Sequence, residues 1–476
     1  MRPLPIPALL VALLVASGCA VNPATGERQL SLVSEGQEIQ MGREADAEVS
    51  ASLGLVADDG WQTYVQSLGD RMALASERPN LPWTFRVVDD PVVNAFALPG
   101  GFIYITRGIL THFSSEAELM GVLGHEIGHV TARHSVSQMS RAQLAQLGLG
   151  VGSILAPDLA PLAEAAGAGL GLLFLRYGRD DERQADDLGL RYMTRENYDP
   201  REMAATFEML ADASGAAEGG RVPAFLSTHP DPLERRDRII ARIDAGEVSG
   251  TRIEREAFLR RLEGMTFGED PRQGYFEENV FLHPELAFRL DFPVGWRTLN
   301  GRDAVQGVSA EEDALLVLTQ DDASTPGAAR DAFLGGEGMR GTNLSNEAVN
   351  GLPAARADFL ATTEQGTLAG AVVFIAHDGD VYRIFGYAPE ARWSARSSAV
   401  RGALGSFRRV TDPDVLNRQA DEIELVRTTA AMSVEEFHRR YPSEVPIETI
   451  ATINRLELGE TIPSGTLVKR VVSGSP

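Results

Sequence analysis

The chain has a single cysteine, Cys19, among 476 residues. No intramolecular disulfide can staple it, so its stability has to come from buried apolar cores. Basic residues are in deficit: 44 Lys and Arg stand against 67 Asp and Glu, a formal net charge of -23 at pH 7. That balance excludes wholesale binding to nucleic acid, which needs cationic counter-charge for the phosphates. Apolar runs of membrane-spanning length, roughly 18 to 20 residues, are missing as well. The stretch from Leu144 to Leu175 is rich in Ala, Gly and Leu, but Pro157, Asp158, Pro161 and Glu164 interrupt it. It is expected to form two mobile helices beside a cleft. What remains, 43% hydrophobic and 23% charged residues, is the composition of a folded soluble protein. At about 150 residues per unit, the length predicts roughly three units.

The first eighteen residues have the build of an export signal. Arg2 supplies the positive end, and Ala8 to Ala16 form an apolar core too short to span a bilayer. Ser17 and Gly18 precede Cys19, a pattern that resembles a bacterial lipobox, although Ala16 stands where leucine is usual. Lipidation of Cys19 would explain an unpaired cysteine in an exported chain and would anchor it without a spanning helix. Ala20 is not the aspartate that signals inner-membrane retention. The expected location is therefore the bacterial cell envelope, as an outer-membrane lipoprotein facing the periplasm, with residues 19–30 as a tether.

Periodicity divides the rest. Leu30 to Met72 reads as helical, Trp83 to Val88 as a strand, and Asn94 to Leu98 with Phe102 to Thr106 as a hairpin about Pro99-Gly100-Gly101. Ser115 and Glu118 form a capping-box signature that opens a helix running to about His134. On it Gly121, Gly124 and Gly128 leave room for a second backbone to approach closely. Beyond Glu263 to Gly274 the pattern turns β-rich, with strands at Phe288 to Phe292, Ala314 to Thr319, Ala371 to His377 and Val381 to Tyr387. From Pro413 two helical segments, Ser433 to Tyr441 and Ile447 to Asn454, precede a strand at Thr466 to Val472.

The chemistry lies in His125-Glu126-Ile127-Gly128-His129. On a helix, residues four apart share one face, so both imidazoles converge on one ion. Zinc suits such a pair because it accepts imidazole and carboxylate donors in a tetrahedral site with one position left for water. Glu126 projects about 100° from His125, away from ligation but within reach of that water as general base. With eight histidines in the chain, chance alone gives this spacing in roughly one such chain in a hundred. A metzincin would need glycine and histidine where Ala132 and Ser135 stand. On a continuous helix His134 lies about 140° from His129, so it reads as a structural or cleft-wall residue. Glu182 and Asp186, one turn apart, are suited to a metal ligand and to a hydrogen-bond partner of His125. On residue chemistry alone, a solvated charged helix is an equal reading of that segment.

Asn94-Ala-Phe-Ala-Leu-Pro-Gly-Gly101, the metal-binding pentapeptide, Glu182 to Asp186 and Ser227-Thr-His-Pro230 occur in one order and spacing. Together, over roughly Ser31 to Ile243, they resemble the HtpX and CAAX-prenyl-endopeptidase family of gluzincin zinc metallopeptidases, peptidase family M48. Gly178 stands where many relatives have serine. The resemblance implies an α+β zincin-type fold and one zinc ion held by His125, His129 and Glu182. It also brings His229 toward the metal, either stabilising the oxyanion or occupying the open coordination position as a gate, with Arg235 nearby. Tyr177 is a weaker oxyanion candidate. Residues Asn94, Ala95, Phe96, Ala97 and Leu98 offer a strand to which an extended substrate can add itself; Asn94 is equally readable as a turn-former.

The expected layout is a metallopeptidase domain over 31–265, a small α/β domain over 275–412 and a LysM-like βααβ unit over 413–476. The small domain resembles one appended to some exported peptidases of the family. Ala451 to Leu456 and Ile462 to Lys469 resemble the second half of a LysM domain, with peptidoglycan as a candidate partner. Thr429 to Ser433 departs from that pattern. His283 and His377 lack partners at ligand spacing and read as structural. The expected function is a zinc endopeptidase acting on unfolded or misassembled envelope proteins. The alternative is a metal-containing envelope chaperone or peptidoglycan-binding adaptor.

Overall fold

The protein is described from a computed structural model covering residues 19–146, 177–216, 224–363 and 366–474. The expected leader, 1–18, and nearly all of the Ala/Gly/Leu-rich stretch, 147–175, lie outside the described residues. The chain divides into two compact units. The first runs to Gly268 and resumes over Asp421–Ser473; the second is Glu269–Ala420 with Gly474.

The first unit opens with β1 (Cys19–Val21) and β2 (Arg28–Leu30), which pair antiparallel. The stretch read as a tether is thus a hairpin, and Gln29 Nε2 donates to Ala132 O at 3.1 Å. Helices α1 (Glu35–Leu53) and α2 (Asp59–Leu74) fill the expected helical region, interrupted at Gly54. On α2, Trp61, Val65, Leu68 and Met72 recur at helical spacing on the buried face. Strands β3 (Thr84–Val88), β4 (Ala95–Leu98) and β5 (Phe102–Thr106) form a sheet in the order β3-β5-β4. β3 is parallel to β5 and β4 antiparallel to it, leaving β4 at the sheet edge. In the β4–β5 turn Gly100 has φ +81°, and a Cβ there would meet Ile39 Cα at 2.7 Å. Only glycine fits that turn.

After the short α3 (Arg107–His112) comes α4 (Glu116–Thr131), every residue of which is buried. Two details differ from the sequence reading. Ser115 Oγ accepts from Glu118 N at 3.2 Å, but the Glu118 carboxylate turns instead to Ser114 N and Arg455, leaving the capping box half-made. The helix also stops at Thr131: Arg133 adopts φ +58°, and a separate helix, α5 (His134–Gln146), begins at His134. Then follow α6 (Arg179–Arg195), α7 (Pro200–Ala216), α8 (Ala224–Thr228), α9 (Pro232–Asp244), α10 (Arg255–Leu262) and β6 (Thr266–Phe267).

The second unit contains β7 (Tyr275–Glu277), β8 (Val280–His283), β9 (Phe288–Asp291), β10 (Arg297–Asn300), β11 (Ala304–Val308), β12 (Leu315–Asp321), α11 (Pro326–Leu334), β13 (Met339–Ser345), β14 (Ala354–Thr363), β15 (Gly366–His377), β16 (Asp380–Pro389), α12 (Glu390–Leu404), β17 (Arg408–Arg409) and α13 (Pro413–Leu416). Its main sheet is antiparallel, in the order β10-β11-β12-β16-β15-β14-β13. Alternation along β15 explains the two-sided packing: Val372 and Phe374 share a core with Ala329 of α11, and Val373 and Ile375 share another with Val400 and Leu404 of α12.

The chain then re-enters the first unit through β18 (Asp421–Arg427), β19 (Met432–Ser433), α14 (Val434–Arg440), α15 (Ile447–Asn454), β20 (Thr461–Ile462) and β21 (Leu467–Ser473). The two helices lie between two strands on either side, with β18 antiparallel to β21 and β19 to β20. This segment is not a separate unit. β18 also pairs with β6, and Ile423, Phe437, Ile450 and Val471 belong to the same apolar core as Leu123 and Ile127 of α4. Arg455 holds Glu118 through two 2.9 Å bonds, and Lys469 Nζ donates to Thr111 O and Phe113 O at 3.0 and 2.5 Å. Among the described residues no helix is long and apolar enough to cross a membrane.

Candidate metal centre

Helices α4 and α6 carry most of the site, and glycine lets them approach closely enough to share it. A Cβ on Gly124 would lie 2.9 Å from Gly189 O, one on Gly128 2.9 Å from Ala185 O, and one on Gly189 2.7 Å from His125 N. The crossing is therefore backbone against backbone, which faces His125 and His129 toward Glu182 and Asp186. His229, just past α8, enters from a third direction and Arg235 of α9 from a fourth.

His125, His129, Glu182 and His229 each offer one donor atom, and all four atoms lie within 4.8 Å of one another. His125 Nε2 stands 3.0 Å from His129 Nε2 and 3.2 Å from His229 Nδ1. Glu182 Oε1 is 2.9 Å from His229 Nδ1 and 3.5 Å from His129 Nε2. All four residues are at most 2% exposed. Dry lone pairs gathered this closely need a cation, and three imidazoles with one carboxylate fit zinc. His229, read from sequence as oxyanion residue or gate, offers a donor atom to the same cluster.

The surroundings fix how these donors present themselves. His125 Nδ1 lies 3.0 Å from Asp186 Oδ1, so a proton on Nδ1 leaves the Nε2 lone pair facing the cluster. Arg235 grips Asp186 with Nε at 2.9 Å and Nη2 at 2.6 Å, and Nη1 lies 2.8 Å from Glu182 Oε2. Burial, then the Arg235 cation, push the His125 imidazole down to about 3, keeping it neutral. Burial alone would raise the carboxyls of Glu182 and Asp186, but His229 and Arg235 outweigh it for Glu182, and Arg235 and His125 do so for Asp186. Both stay ionised. Glu126 is different: burial pushes it up to about 7, and neither carboxylate oxygen has a hydrogen-bond partner among the described residues. Its Oε1 stands 3.9 Å from His229 Nε2.

Tyr177, the weaker oxyanion candidate, stacks on His129 with ring centroids 4.0 Å apart, and its hydroxyl meets Ser135 Oγ at 2.9 Å. That hydroxyl is already engaged. Strand β4 packs against α4, and its four side chains are buried. Asn94 bonds Thr106 through its backbone, while its Oδ1 has no hydrogen-bond partner among the described residues. His283 and His377 lie in the second unit, hydrogen-bonded to Leu286 N and Leu286 O and packed against Phe288. Sequence reasoning missed His134 as a neighbour of the centre: its Nδ1 lies 2.9 Å from His129 Nδ1. Only the break at Arg133 makes that contact possible, and nothing in the local pattern announces it. Phe225, stacked on His229 at 4.4 Å, was missed as well.

The model of Peptidase family M48 matches residues 61–243, from the start of α2 to the end of α9 and so through every donor. Metalloprotease YcaL of Escherichia coli (strain K12) is 30% identical over 221 residues, covering 43% of this chain and 82% of that protein. The chain belongs to peptidase family M48. This M48 chain is also 35% identical over 196 residues to Mitochondrial metalloendopeptidase OMA1 of Arabidopsis thaliana, covering 40% of the chain and 38% of the relative. To the Beta-barrel assembly-enhancing protease of Escherichia coli (strain K12) it is 31% identical over 234 residues, 47% of each protein. It spans less than half the length of each of these two relatives. The second unit and the returning β18–β21 segment lie outside the matched family residues.

Proposed function

We propose that this M48 chain is a zinc-dependent endopeptidase that hydrolyses peptide bonds of misfolded or mislocalised cell-envelope proteins. The observation that carries the proposal is the buried convergence of His125, His129, Glu182 and His229 beside a Glu126 carboxylate with no hydrogen-bond partner among the described residues. His125, His129 and Glu182 would hold a zinc ion, which would supply Lewis acidity toward a scissile carbonyl and toward water. Glu126, poised at about 7, takes the proton from the attacking water and passes it to the departing amine. Asp186 fixes the His125 tautomer, and Arg235 locks Asp186 and Glu182 in register. His229 closes the fourth position at rest and gates the centre or steadies negative charge when substrate enters. The edge of β4, Ala95 to Leu98 with Asn94 at its start, receives the substrate as an added strand and recognises backbone rather than sequence.

An export signal and lipidation at Cys19 would place the enzyme at the outer membrane facing the periplasm. The name of the β-barrel assembly-enhancing relative supports unfolded barrel precursors as substrates. Two helices enclosed between the antiparallel strands β18 and β21 support a LysM-like fold, with peptidoglycan as a candidate partner. A second reading, a metal-containing chaperone or peptidoglycan-binding adaptor with little hydrolysis, draws support from the same His229, because four protein donors close the coordination sphere.

Cleavage of an unfolded β-barrel precursor by wild type and Glu126→Gln, with zinc content measured in both, tests the proposal. Wild type is expected to cleave and the variant to retain zinc without cleaving. Equal cleavage by both overturns the mechanism, and no cleavage by zinc-loaded wild type favours the second reading.

A further inference from the structure

The two histidines of the H-E-x-x-H helix are not held alike. Behind His125 stands a carboxylate, Asp186. Behind His129 stands another imidazole, with Nδ1 facing Nδ1 at 2.9 Å. Because His129 Nε2 turns its lone pair to the donor cluster, its proton sits on Nδ1 and is donated to His134 Nδ1. The His134 proton is then on Nε2, which lies 2.9 Å from Gln184 Oε1. The same oxygen accepts from Asn22 Nδ2 at 2.9 Å. Reversing the Gln184 amide would set its NH2 against two donors, so one orientation satisfies every link.

Asn22 is 5% exposed and lies in the turn between β1 and β2. Its Oδ1 accepts from Ala24 N at 2.9 Å, which holds the amide in place. Across the same hairpin Gln29 bonds Ala132 O, just past the end of the metal helix. The hairpin therefore grips α4 and α6 at once.

From this relay we propose that His134 is a positioning residue for His129, and that the β1–β2 hairpin, through Asn22 and Gln184, holds His134 in place as a latch on the metal centre. A neutral imidazole accepts a hydrogen bond less strongly than a carboxylate. The His129 side of the centre thus depends on geometry set by the hairpin, where the His125 side depends on charge. The nearest carboxylate to His134, Asp181, stands 3.8 Å from Nε2 and is held by Gln138, so it does not replace Gln184 in the relay.

The inference rests on the zinc reading above, so its test measures zinc first in the full wild-type chain. Absence of zinc uptake by wild type would sink that reading and the latch with it. With uptake established, zinc affinity is measured by chelator competition, the ligand field by the visible spectrum of the Co(II)-loaded protein, and stability by unfolding of the zinc-free form. His134→Leu is expected to weaken zinc about 10- to 100-fold and alter the cobalt spectrum, whereas His134→Gln, whose amide oxygen can accept from His129, restores affinity to within about threefold. Gln184→Met and Asn22→Ala are expected to weaken zinc by successively smaller factors while zinc-free unfolding stays near wild type. Wild-type affinity and spectrum in His134→Leu overturn the positioning role. Equal losses in the Leu and Gln variants, or losses matched by a falling zinc-free stability, reduce His134 to packing and overturn it too. Should His134→Leu fail to fold, Gln184→Met decides: unchanged zinc binding there overturns the latch.

Discussion

Gly189→Ala probes the contact on which the centre is built. The added Cβ would lie 2.7 Å from His125 N, 2.9 Å from Gly124 C and 3.1 Å from His125 Cα, whereas ordinary contact begins at 3.4 Å. All three are backbone atoms of α4, so no side chain can rotate away. Helix α6 has to retreat by about 0.7 Å, and Glu182 and Asp186 travel with it. Metal–ligand distances tolerate only about 0.2 Å. Two energies oppose each other. Alanine gains up to about 1 kcal/mol over glycine in a helix, but forcing a methyl into a packed interior costs about 1–3 kcal/mol. The clash is expected to win. Gly402→Ala in α12, where nothing lies within 4 Å, reports the propensity gain alone in its own unit. Thermal unfolding of the zinc-free chains and chelator competition for zinc are the assays. Gly189→Ala should unfold earlier and hold zinc at least tenfold more weakly. Wild-type stability together with wild-type affinity would refute the close-crossing argument.

Other perturbations read different parts of the molecule. In the zinc-free chain, burial raises the Glu126 carboxyl from 4.5 to about 7. The stability this group contributes is full below pH 4.5 and is lost as pH rises through 7. Glu126→Gln should therefore be the more stable zinc-free chain at pH 8, by at most about 3 kcal/mol, with the gap closing toward pH 4.5 in denaturant titrations; a constant gap counts against the buried carboxyl. Burial holds Lys469 well below its ordinary 10.5, and a neutral amine has two N–H groups for the two carbonyls it meets. The unfolded chain then binds the extra proton, so unit-one stability should climb as pH rises toward 10.5 and stay flat in Lys469→Met. The same climb in the variant would show that another group is responsible. His229→Ala should change turnover while zinc content, measured by atomic absorption, stays near one per chain; a variant that simply loses its metal contradicts the gating or oxyanion role.

The parts legible in the sequence were those set by local periodicity. His125 and His129, four apart on one helix, declare their own geometry, and β3 shows in its alternation, whereas Glu182 with Asp186 stood out from a solvated charged helix only through the family resemblance. Contacts between distant segments were not legible. His134 looked remote because a continuous helix would carry it away from His129; the left-handed Arg133 turns it back. Glu118 looked like half of a capping box, yet its partner is Arg455, 337 positions away. The glycines at 124 and 128 announced a close neighbour without naming it, and Gly189 supplies that answer from the other helix.

The path of the backbone gives folding a clock. The chain leaves its first unit at β6, threads a complete second unit, and returns at β18 beside the strand it left. Until residues 421–473 have emerged, Glu118 at the head of the metal helix lacks its arginine, the end of α3 lacks the Lys469 amine, and the core around Leu123 and Ile127 lacks one wall. During synthesis His125, His129 and Glu182 exist long before the helix that carries the two histidines is braced. The chain thus finishes the unit that holds its donor cluster only with its closing strand.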